Sequence, residues 1–353
     1  MSLRPFSRLA LTLAVAVAAL PFSARAMTPE ERRAYREHLV ATLPDVPAFD
    51  DWIQRTDELP PDFDALPRHN LLPEPMTFFG GHPVKTADEW AKRRSEILDL
   101  YQQYVWGKIP PHAAITSADV TDTPGKGDTG GDYLTRSVVL HCGPDGKATL
   151  HMTLIIPGGP GPFPVVMGPT IVGGFGNMAP TLLRRGYITA SYAGSDFEDD
   201  SKAMAVLYPD TQDLGALPRR AWAASTALDY VLTLPQVQKN QVAEYGYSRD
   251  GKQATIAAAL DPRFSALICG SAGIGGPLAF RNAGERNQAE SIQSSSLIFP
   301  DWFHPRLRFF AGREDRLPVD GNRLLAAIAP RPVFMVSGYN DEVSNDWGDE
   351  QSI

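Results

Sequence analysis

A serine at a predicted turn between a strand and a helix is the residue best placed for chemistry in this sequence. Ser248 lies in Gly246-Tyr247-Ser248-Arg249-Asp250-Gly251, between an apolar run and an alanine-rich stretch. Such a turn lifts a hydroxyl above a sheet, and the start of the helix offers N–H groups to a developing oxyanion. The pattern therefore predicts a nucleophile for acyl transfer, with an ordinary turn before a helix as the alternative.

The turn departs from the G-x-S-x-G pattern of hydrolase nucleophiles at one position. Asp250 stands where the second glycine is expected, and Gly251 follows one residue later. Small residues continue into the predicted helix at Ala254 and Ala257. Larger side chains would keep this helix away from its strand, so the composition still favours the close packing that a nucleophile turn requires.

A glycine-rich segment, Gly173-Gly174-Phe175-Gly176-Asn177, follows an apolar run at residues 164–170. In a hydrolase, backbone N–H groups at this place would complete an oxyanion hole. Three glycines in four positions are also compatible with a phosphate loop, but no lysine follows at the spacing that such a loop needs. We therefore expect residues 173–177 to contribute to oxyanion binding.

The elements that must position the serine are short apolar strands that alternate with helices. This alternation predicts an α/β fold with a mostly parallel sheet covered on both faces. Ligands of such sheets bind at the carboxyl ends of the strands, which is where Ser248 emerges. The predicted strands are residues 164–170, 187–193, 242–247, 266–269 and 333–337, and a packing helix spans residues 219–234, bounded by Pro218 and Pro235.

Upstream of this alternation the sequence predicts a helix and a hairpin. The helix begins after Thr86, which has Glu89 in the capping-box position, and it stops at Gly107. Residues 134–141 and 148–157 read as the two strands of a hairpin joined by Gly-Pro-Asp-Gly. Cys142 falls in this hairpin and Cys269 at the end of a buried strand, so we expect two separate thiols.

Composition and the N-terminal segment indicate an exported globular protein. The 353 residues carry 43% apolar and 21% charged side chains, and the net charge of −8 does not favour nucleic acid or anionic lipid as a partner. Residues 1–26 have the charged start, the apolar run and the Ala24-Arg25-Ala26 site of a cleaved signal peptide, an uncleaved anchor being the alternative. We expect a wrapping extension over residues 27–85, with one helix at residues 29–42, and a single domain over residues 86–353.

Several further motifs give residues 86–353 a resemblance to a known family. The motifs are Asp261-Pro262-Arg263-Phe264, Gly273-Ile274-Gly275-Gly276, Asp301-Trp302-Phe303, Leu317-Pro318-Val319-Asp320 and Ile328-Ala329-Pro330-Arg331-Pro332, together with the serine turn as far as Lys252 and the helix around Trp90. They make the chain similar to the glucuronoyl esterases. The resemblance implies a secreted α/β-hydrolase that needs no metal or organic cofactor and cleaves the esters between the glucuronic acid of plant xylan and lignin alcohols.

The resemblance also implies roles for individual residues. Ser248 matches the nucleophile of the family and Arg249 its oxyanion arginine, whose guanidinium donates a charge-assisted hydrogen bond. Lys252 matches the lysine that holds the hydroxyls of the uronic acid, Trp347 the tryptophan beside the sugar, and Glu285 a site glutamate of bacterial members. Without the resemblance, Lys252 reads as a solvated helix charge, Glu285 as an ion-pair partner and Trp347 as a core aromatic.

The acid and the base of the catalytic triad are harder to place. Some family members take the acid from a glutamate whose position here is occupied by Ser271, so we expect the acid after the last strand, at Asp341 first and Asp346 second. The base of this fold follows the acid, whereas all seven histidines precede Asp341. His304 is one alternative. The favoured prediction is that a final helix, strand and histidine loop are absent from this chain, which would leave an open sheet edge, a bare apolar face and little activity.

The predicted function is hydrolysis of uronic-acid esters by a secreted or periplasmic, monomeric serine esterase that forms an acyl-enzyme through Ser248. Two alternatives stay open at this point. One is an acetylxylan or other carbohydrate esterase on the same scaffold. The other is a catalytically dead carbohydrate-binding homologue, which the absent histidine favours.

Overall fold

The computed structural model describes residues 25–127, 131–169, 178–197, 203–284, 289–341 and 343–353, and an eight-stranded sheet lies at their centre. The strands are β1 (Ile115–Lys126), β2 (Asp132–Cys142), β3 (Ala148–Pro157), β4 (Phe163–Met167), β5 (Ile188–Tyr192), β6 (Val237–Tyr247), β7 (Ala266–Gly270) and β8 (Val333–Val336). In space they follow the order β1-β2-β3-β5-β4-β6-β7-β8. Strands β5, β4, β6, β7 and β8 are parallel neighbours, which confirms the predicted α/β fold with a mostly parallel sheet.

The antiparallel end of the sheet holds the one strand that the sequence did not predict. The predicted hairpin is confirmed as β2 and β3, which pair from Tyr133 opposite Pro157 to Cys142 opposite Ala148. β1 pairs antiparallel with the outer side of β2. It carries no apolar alternation because nearly all of its residues are exposed at the sheet edge.

Ten α-helices surround the sheet in the described ranges. They are α1 (Pro29–Thr42), α2 (Pro47–Thr56), α3 (Ala87–Tyr101), α4 (Ala179–Arg184), α5 (Ala203–Leu207), α6 (Ala216–Val231), α7 (Arg249–Leu260), α8 (Ile292–Ile298), α9 (Gly321–Ile328) and α10 (Asp346–Gln351). The predicted capping box of Thr86 and Glu89 starts α3, and a π-helix continues it to Trp106. Pro218 lies within the first turn of α6 rather than before it, where its missing N–H costs nothing.

The N-terminal residues pack against the segment between α8 and α9. α2 falls in a stretch that the sequence predicts to be irregular, and it forms because Phe49 and Trp52 bury one face of it. The Tyr35 hydroxyl donates to the Phe309 carbonyl at 3.0 Å, and the Arg306 guanidinium pairs with both carboxylate oxygens of Glu58. These contacts join residues 27–85 to the loop that follows Trp302.

Close packing of α7 on β6 and β7 fixes the turn that carries Ser248. The alanines of α7 are fully buried, as the composition of the turn predicted. Cys142 and Cys269 are both buried free thiols, so the prediction of two separate cysteines is confirmed. Within the described ranges, no helix is long and apolar enough to cross a bilayer.

β8 forms the far edge of the sheet and leaves one of its faces open. Val333 and Met335 face α9, whereas Phe334 is 63% exposed and Val336 is 50% exposed. An edge strand with unpaired backbone groups and apolar side chains is a template for association with other chains. The open edge and the bare apolar face expected from the sequence are therefore both present.

Replacing the two exposed side chains should reduce association. In Phe334→Lys/Val336→Thr we expect weaker binding of an apolar dye and less light scattering at high protein concentration, because the edge loses apolar surface and gains a charge. Leu71→Lys is the matched control, since Leu71 is 83% exposed but lies far from any strand of the sheet in sequence. Equal dye binding in the two variants would show that the exposed side chains of β8 do not cause the association between chains.

Candidate active site

Ser248 sits in a strained turn at the carboxyl end of β6. Its backbone has φ 57° and ψ −126°, a conformation that few residues other than glycine adopt, and its N–H donates to the Gly270 carbonyl at 2.8 Å. In the described part of the chain its hydroxyl makes no hydrogen bond. The serine is half-buried, so its side chain is partly accessible to solvent.

Two glycines make this turn sterically possible. A Cβ atom on Gly246 would lie 1.9 Å from the Asp250 carbonyl oxygen. A Cβ atom on Gly251 would lie 3.0 Å from both the Ala272 Cβ and the Gly270 carbonyl oxygen. The close approach of helix to strand thus falls at Gly251, one residue later than in G-x-S-x-G, which explains how an aspartate is accommodated at position 250.

Asp250 has a structural partner of its own. Its buried carboxylate accepts from Arg220 of α6 at 2.7 Å, and the Arg249 Nε lies 3.7 Å from the same oxygen. The Arg249 side chain is 44% exposed beside the serine. Arg249 therefore lies near the carboxylate of Asp250 and is partly open to solvent, and its role at the oxyanion stays a prediction.

A buried chain of hydrogen bonds continues from Arg220 beneath the turn. Arg220 donates to the Gln253 side-chain oxygen, Gln253 donates to the Tyr192 hydroxyl, and Tyr192 donates to Glu244. Burial raises the pKa of Glu244 well above its usual range, and it is the main cause of the raised pKa of Tyr192 as well. The network ties β5, β6, α6 and α7 together at the end of the sheet where Ser248 emerges.

The stability of Glu244→Gln relative to the wild type should increase as the pH rises. A folded-state pKa above the unfolded value of 4.5 means that the folded protein holds a proton which the unfolded chain releases, so wild-type stability falls above that pH. The variant escapes this loss, which amounts to at most about 1.4 kcal/mol per pH unit. Urea unfolding from pH 5 to pH 8 measures the difference. The exposed Glu37→Gln is the control, and a parallel pH response of all three proteins would contradict a protonated Glu244.

Lys252, one turn into α7, is fully buried. Its ammonium donates to the Ala272 carbonyl and to the Glu290 carboxylate, and it lies 5.4 Å from the centroid of the Trp302 ring. Burial lowers the pKa of Lys252, while the negative charge of Glu290 opposes that effect. The interpretation of Lys252 as a solvated helix charge is therefore wrong.

Glu290, the partner of Lys252, was not predicted from the sequence. It immediately precedes Ser291, which caps α8 through a hydrogen bond to the Ser294 N–H. The capping pattern Ser-x-x-Ser could have located the helix start, but nothing in the sequence joins an acid at that point to a lysine 38 residues earlier. Gly273 allows the contact, because a Cβ atom there would meet both the Glu290 carboxylate and the Lys252 ammonium.

Of the other predicted site residues, some lie outside the described ranges and Trp347 lies within them. Glu285 and the glycine-rich segment 173–177 fall in ranges that the structure does not describe. Trp347, in the first turn of α10, is 52% exposed. An exposed indole rules out the alternative interpretation of Trp347 as a core aromatic.

Three of the aspartates that follow β8 accept hydrogen bonds from the protein. The Asp341 Oδ1 accepts from the Val343 and Ser344 N–H groups, and the Asp346 Oδ1 accepts from the Trp347 N–H. Asp349 is buried, its Oδ2 accepts from the Ser344 hydroxyl at 2.6 Å, and burial raises its pKa to about 6. Asp349 was not predicted from the sequence, because it lies in a short polar stretch without any pattern.

None of the seven histidines is hydrogen-bonded to Ser248, and all seven lie in the described ranges. His304 is buried, its Nδ1 accepts from the Arg306 N–H, and its ring packs edge-on against Trp52. Burial lowers its pKa to about 4, so it is a neutral core residue rather than a mobile base. The described residues also contain no cluster of side chains that could hold a metal ion.

Comparison with known proteins places this chain among carbohydrate esterases. A family model described as "Glucuronyl esterase, fungi" matches residues 142–352. The 4-O-methyl-glucuronoyl methylesterase of Podospora anserina is 29% identical, and the match covers 79% of this chain and 57% of that protein. The carbohydrate esterase MZ0003 of an unknown prokaryotic organism is 28% identical, and the match covers 80% of this chain and 76% of that protein. This chain thus spans little more than half the length of the Podospora relative.

Solved structures give the same result. The glucuronoyl esterase from Solibacter usitatus superposes with a TM-score of 0.69 at 26% identity, covering 82% of this chain and 84% of that one. The family 15 glucuronoyl esterase from Caldicellulosiruptor kristjansonii superposes with a TM-score of 0.66 at 29% identity, covering 80% and 79%. The overall fold is therefore shared with esterases of this kind.

Proposed function

Since this chain belongs to the glucuronoyl esterase family, we propose that it is a serine esterase that hydrolyses 4-O-methyl-glucuronoyl esters of xylan. The observation that carries the proposal is the left-handed backbone of Ser248 at the end of β6. Such strain costs on the order of 1–3 kcal/mol and is typical of positions where a side chain must face a reacting group.

The proposed reaction passes through an acyl-enzyme. The Ser248 oxygen attacks the ester carbonyl while its proton passes to a base, and the tetrahedral intermediate then expels the alcohol, which takes that proton. Water hydrolyses the resulting ester of Ser248 by the same steps. The Arg249 guanidinium and the N–H groups at the start of α7 stabilise the oxyanion.

Asp341 is the proposed acid of the triad. Its Oδ1 is used by two backbone N–H groups, whereas in the described part of the chain its Oδ2 makes no hydrogen bond and remains able to accept from an imidazole. Asp346 stays the second choice, because a single backbone N–H group fixes its carboxylate, whereas two fix that of Asp341.

Lys252, Trp347 and Glu285 are the proposed contacts to the sugar. The exposed indole of Trp347 offers a stacking surface, and two of the three ammonium hydrogens of Lys252 are used by the protein in the described residues. Since Lys252 is closed off from solvent in this conformation, its contact with a hydroxyl requires the segment of Glu290 to move aside.

The proposal extends to where the protein acts. The signal-like residues 1–26 support export with cleavage after Ala26, and glucuronoxylan or lignin-carbohydrate esters outside the cytoplasm are the proposed substrates. We propose that the exported chain acts as a monomer.

Comparing two substrates tests the assignment. We expect hydrolysis of benzyl glucuronate and none of acetylated xylan, because the buried Lys252 and Glu290 suit a polar sugar acid rather than a bare acetyl group. Activity on the acetyl ester alone would favour the acetylxylan esterase instead.

A second candidate function rests on the histidines. No imidazole contacts Ser248 in the described residues, which favours a catalytically dead homologue that binds a uronic-acid sugar. Calorimetric titration with methyl glucuronate, in the absence of any turnover of its benzyl ester, would support this binding protein.

A further inference from the structure

Asp349 is a buried acid with no chemical step of its own in the proposed reaction. It lies in α10, and its Oδ2 accepts from the hydroxyl of Ser344 at 2.6 Å. Ser344 is itself fully buried, so water does not compete for this bond. Burying a carboxylate is costly unless hydrogen bonds offset the lost hydration. A group of this cost close to a candidate active site is a candidate for a functional role.

Ser344 connects Asp349 to Asp341, the proposed acid of the triad. Its hydroxyl donates to Asp349, and its backbone N–H donates to the Asp341 Oδ1 at 3.2 Å. The Ser337 hydroxyl donates to the Ser344 carbonyl at 3.1 Å, which ties the same residue to the end of β8. The direction of the Asp341 carboxylate therefore depends on where Ser344 is held, and Asp349 holds the side chain of that serine.

The charges that act on Asp349 come from residues of the proposed site. Burial raises the pKa of Asp349 to about 6, and the negative charge of Asp341 adds to this effect. The hydrogen bonds from Ser344 and Ser337 and the positive charge of Lys252 lower the pKa. Near neutral pH the Asp349 carboxylate is therefore ionised, and the bond that it accepts from Ser344 is charge-assisted and stronger than a neutral one.

We propose that Asp349 is a positioning residue of the esterase, which holds the Asp341 carboxylate in a fixed direction through the hydroxyl and the N–H group of Ser344. A triad acid must present one oxygen to the imidazole in a set orientation, and hydrogen bonds to its other oxygen supply that orientation. This inference rests on the proposed function, because it assigns Asp341 the task of the acid.

Two variants of Asp349 test this role in the hydrolysis of benzyl glucuronate, with imidazole supplied as the base. Asp349→Ala removes the acceptor of the Ser344 hydroxyl and should lower kcat about 10–100-fold while KM changes less than about twofold. A shifted acid slows the chemical step, whereas the contacts to the sugar stay in place. Asp349→Asn keeps an oxygen that accepts from Ser344 and should recover most of the lost kcat.

Ser352→Ala is the matched control on the same helix. It deletes a buried hydroxyl that donates to the Gly348 carbonyl at 3.4 Å, and it should leave kcat unchanged. Equal losses of kcat in Ser352→Ala and Asp349→Ala would show that looser packing of α10 explains the effect, and the proposal would be wrong. If Asp349→Ala does not fold, Ser344→Ala breaks the same connection and carries the same expectations.

A double-mutant cycle with Asp341 tests the route of the effect. In an Asp341→Ala background, Asp349→Ala should lower kcat by less than about twofold more, because the carboxylate that Asp349 positions is gone. Equal losses in the wild-type and Asp341→Ala backgrounds would mean that Asp349 acts independently of Asp341, which contradicts the proposal.

Crystal structures of the variants decide the question without turnover. In Asp349→Ala we expect the Asp341 carboxylate to change direction or to lose its bond to the Ser344 N–H, and in Ser352→Ala we expect it to keep its wild-type position. An unchanged Asp341 carboxylate in Asp349→Ala would overturn the proposal even if the enzyme is active. A wild-type protein that hydrolyses no glucuronate ester in imidazole would instead remove the proposed function, and the crystal structures would still decide whether Asp349 holds Asp341.

Discussion

Ser248→Ala should abolish the hydrolysis of benzyl glucuronate by this polypeptide, whereas free imidazole should accelerate the wild-type reaction. No histidine of the described residues is hydrogen-bonded to Ser248, so these residues offer the serine no positioned imidazole. A positioned general base contributes on the order of 10²–10⁴-fold to such reactions, and a dissolved base can recover part of that factor. The measurement is the initial rate as a function of imidazole concentration at constant pH, together with labelling of Ser248 by a fluorophosphonate.

Ser271→Ala is the matched control for this experiment. Ser271 also has a left-handed backbone, with φ 43°, and it follows the neighbouring strand β7. We expect it to keep both the imidazole-dependent rate and the labelling. Imidazole acceleration that survives in Ser248→Ala would mean that the ester is cleaved by imidazole alone or by another residue, and the assignment of Ser248 as nucleophile would be lost.

The sheet and the serine turn could be predicted because both follow from local rules. Apolar runs of four to seven residues that alternate with helices have few solutions other than a parallel sheet, and a small-residue turn after such a run has few other uses. Strand β1 escaped prediction for the opposite reason. It is held by backbone hydrogen bonds to β2 and buries almost no side chain, so its sequence carries no periodic signal.

The surroundings of the serine depend on contacts that no local pattern encodes. Asp250 looked like a defect in the glycine motif, yet Arg220, 30 residues upstream, neutralises it inside the protein. Without the family resemblance, the sequence allows Lys252 to be a solvated helix charge, but in the structure it bonds to Glu290 and lies beside the ring of Trp302. Charges at such separations in sequence meet only when the whole sheet has assembled.

Lys252→Met should destabilise the fold, and the double variant Lys252→Met/Glu290→Gln should restore it. The single change leaves the Glu290 carboxylate, which is 12% exposed, without its cation, and breaking a buried pair in this way costs about 3–5 kcal/mol. The double change replaces both charges by neutral groups of similar shape, so most of that cost disappears. Urea unfolding of the two variants measures the difference.

The restored double variant then separates a structural from a recognition role of Lys252. Binding of methyl glucuronate should remain about 10–100-fold weaker than in wild type, because a charge-assisted hydrogen bond to the sugar cannot be replaced by methionine. Lys92→Met, at an exposed position of α3, should alter neither stability nor binding. Wild-type affinity in the double variant would show that the buried pair serves the fold alone and that the sugar is recognised elsewhere. Retained stability in the single variant would mean that the Glu290 carboxylate becomes hydrated once the ammonium is gone. Hydration requires the segment of Glu290 to move away from α7. Direct contact between Lys252 and a uronic acid requires the same movement.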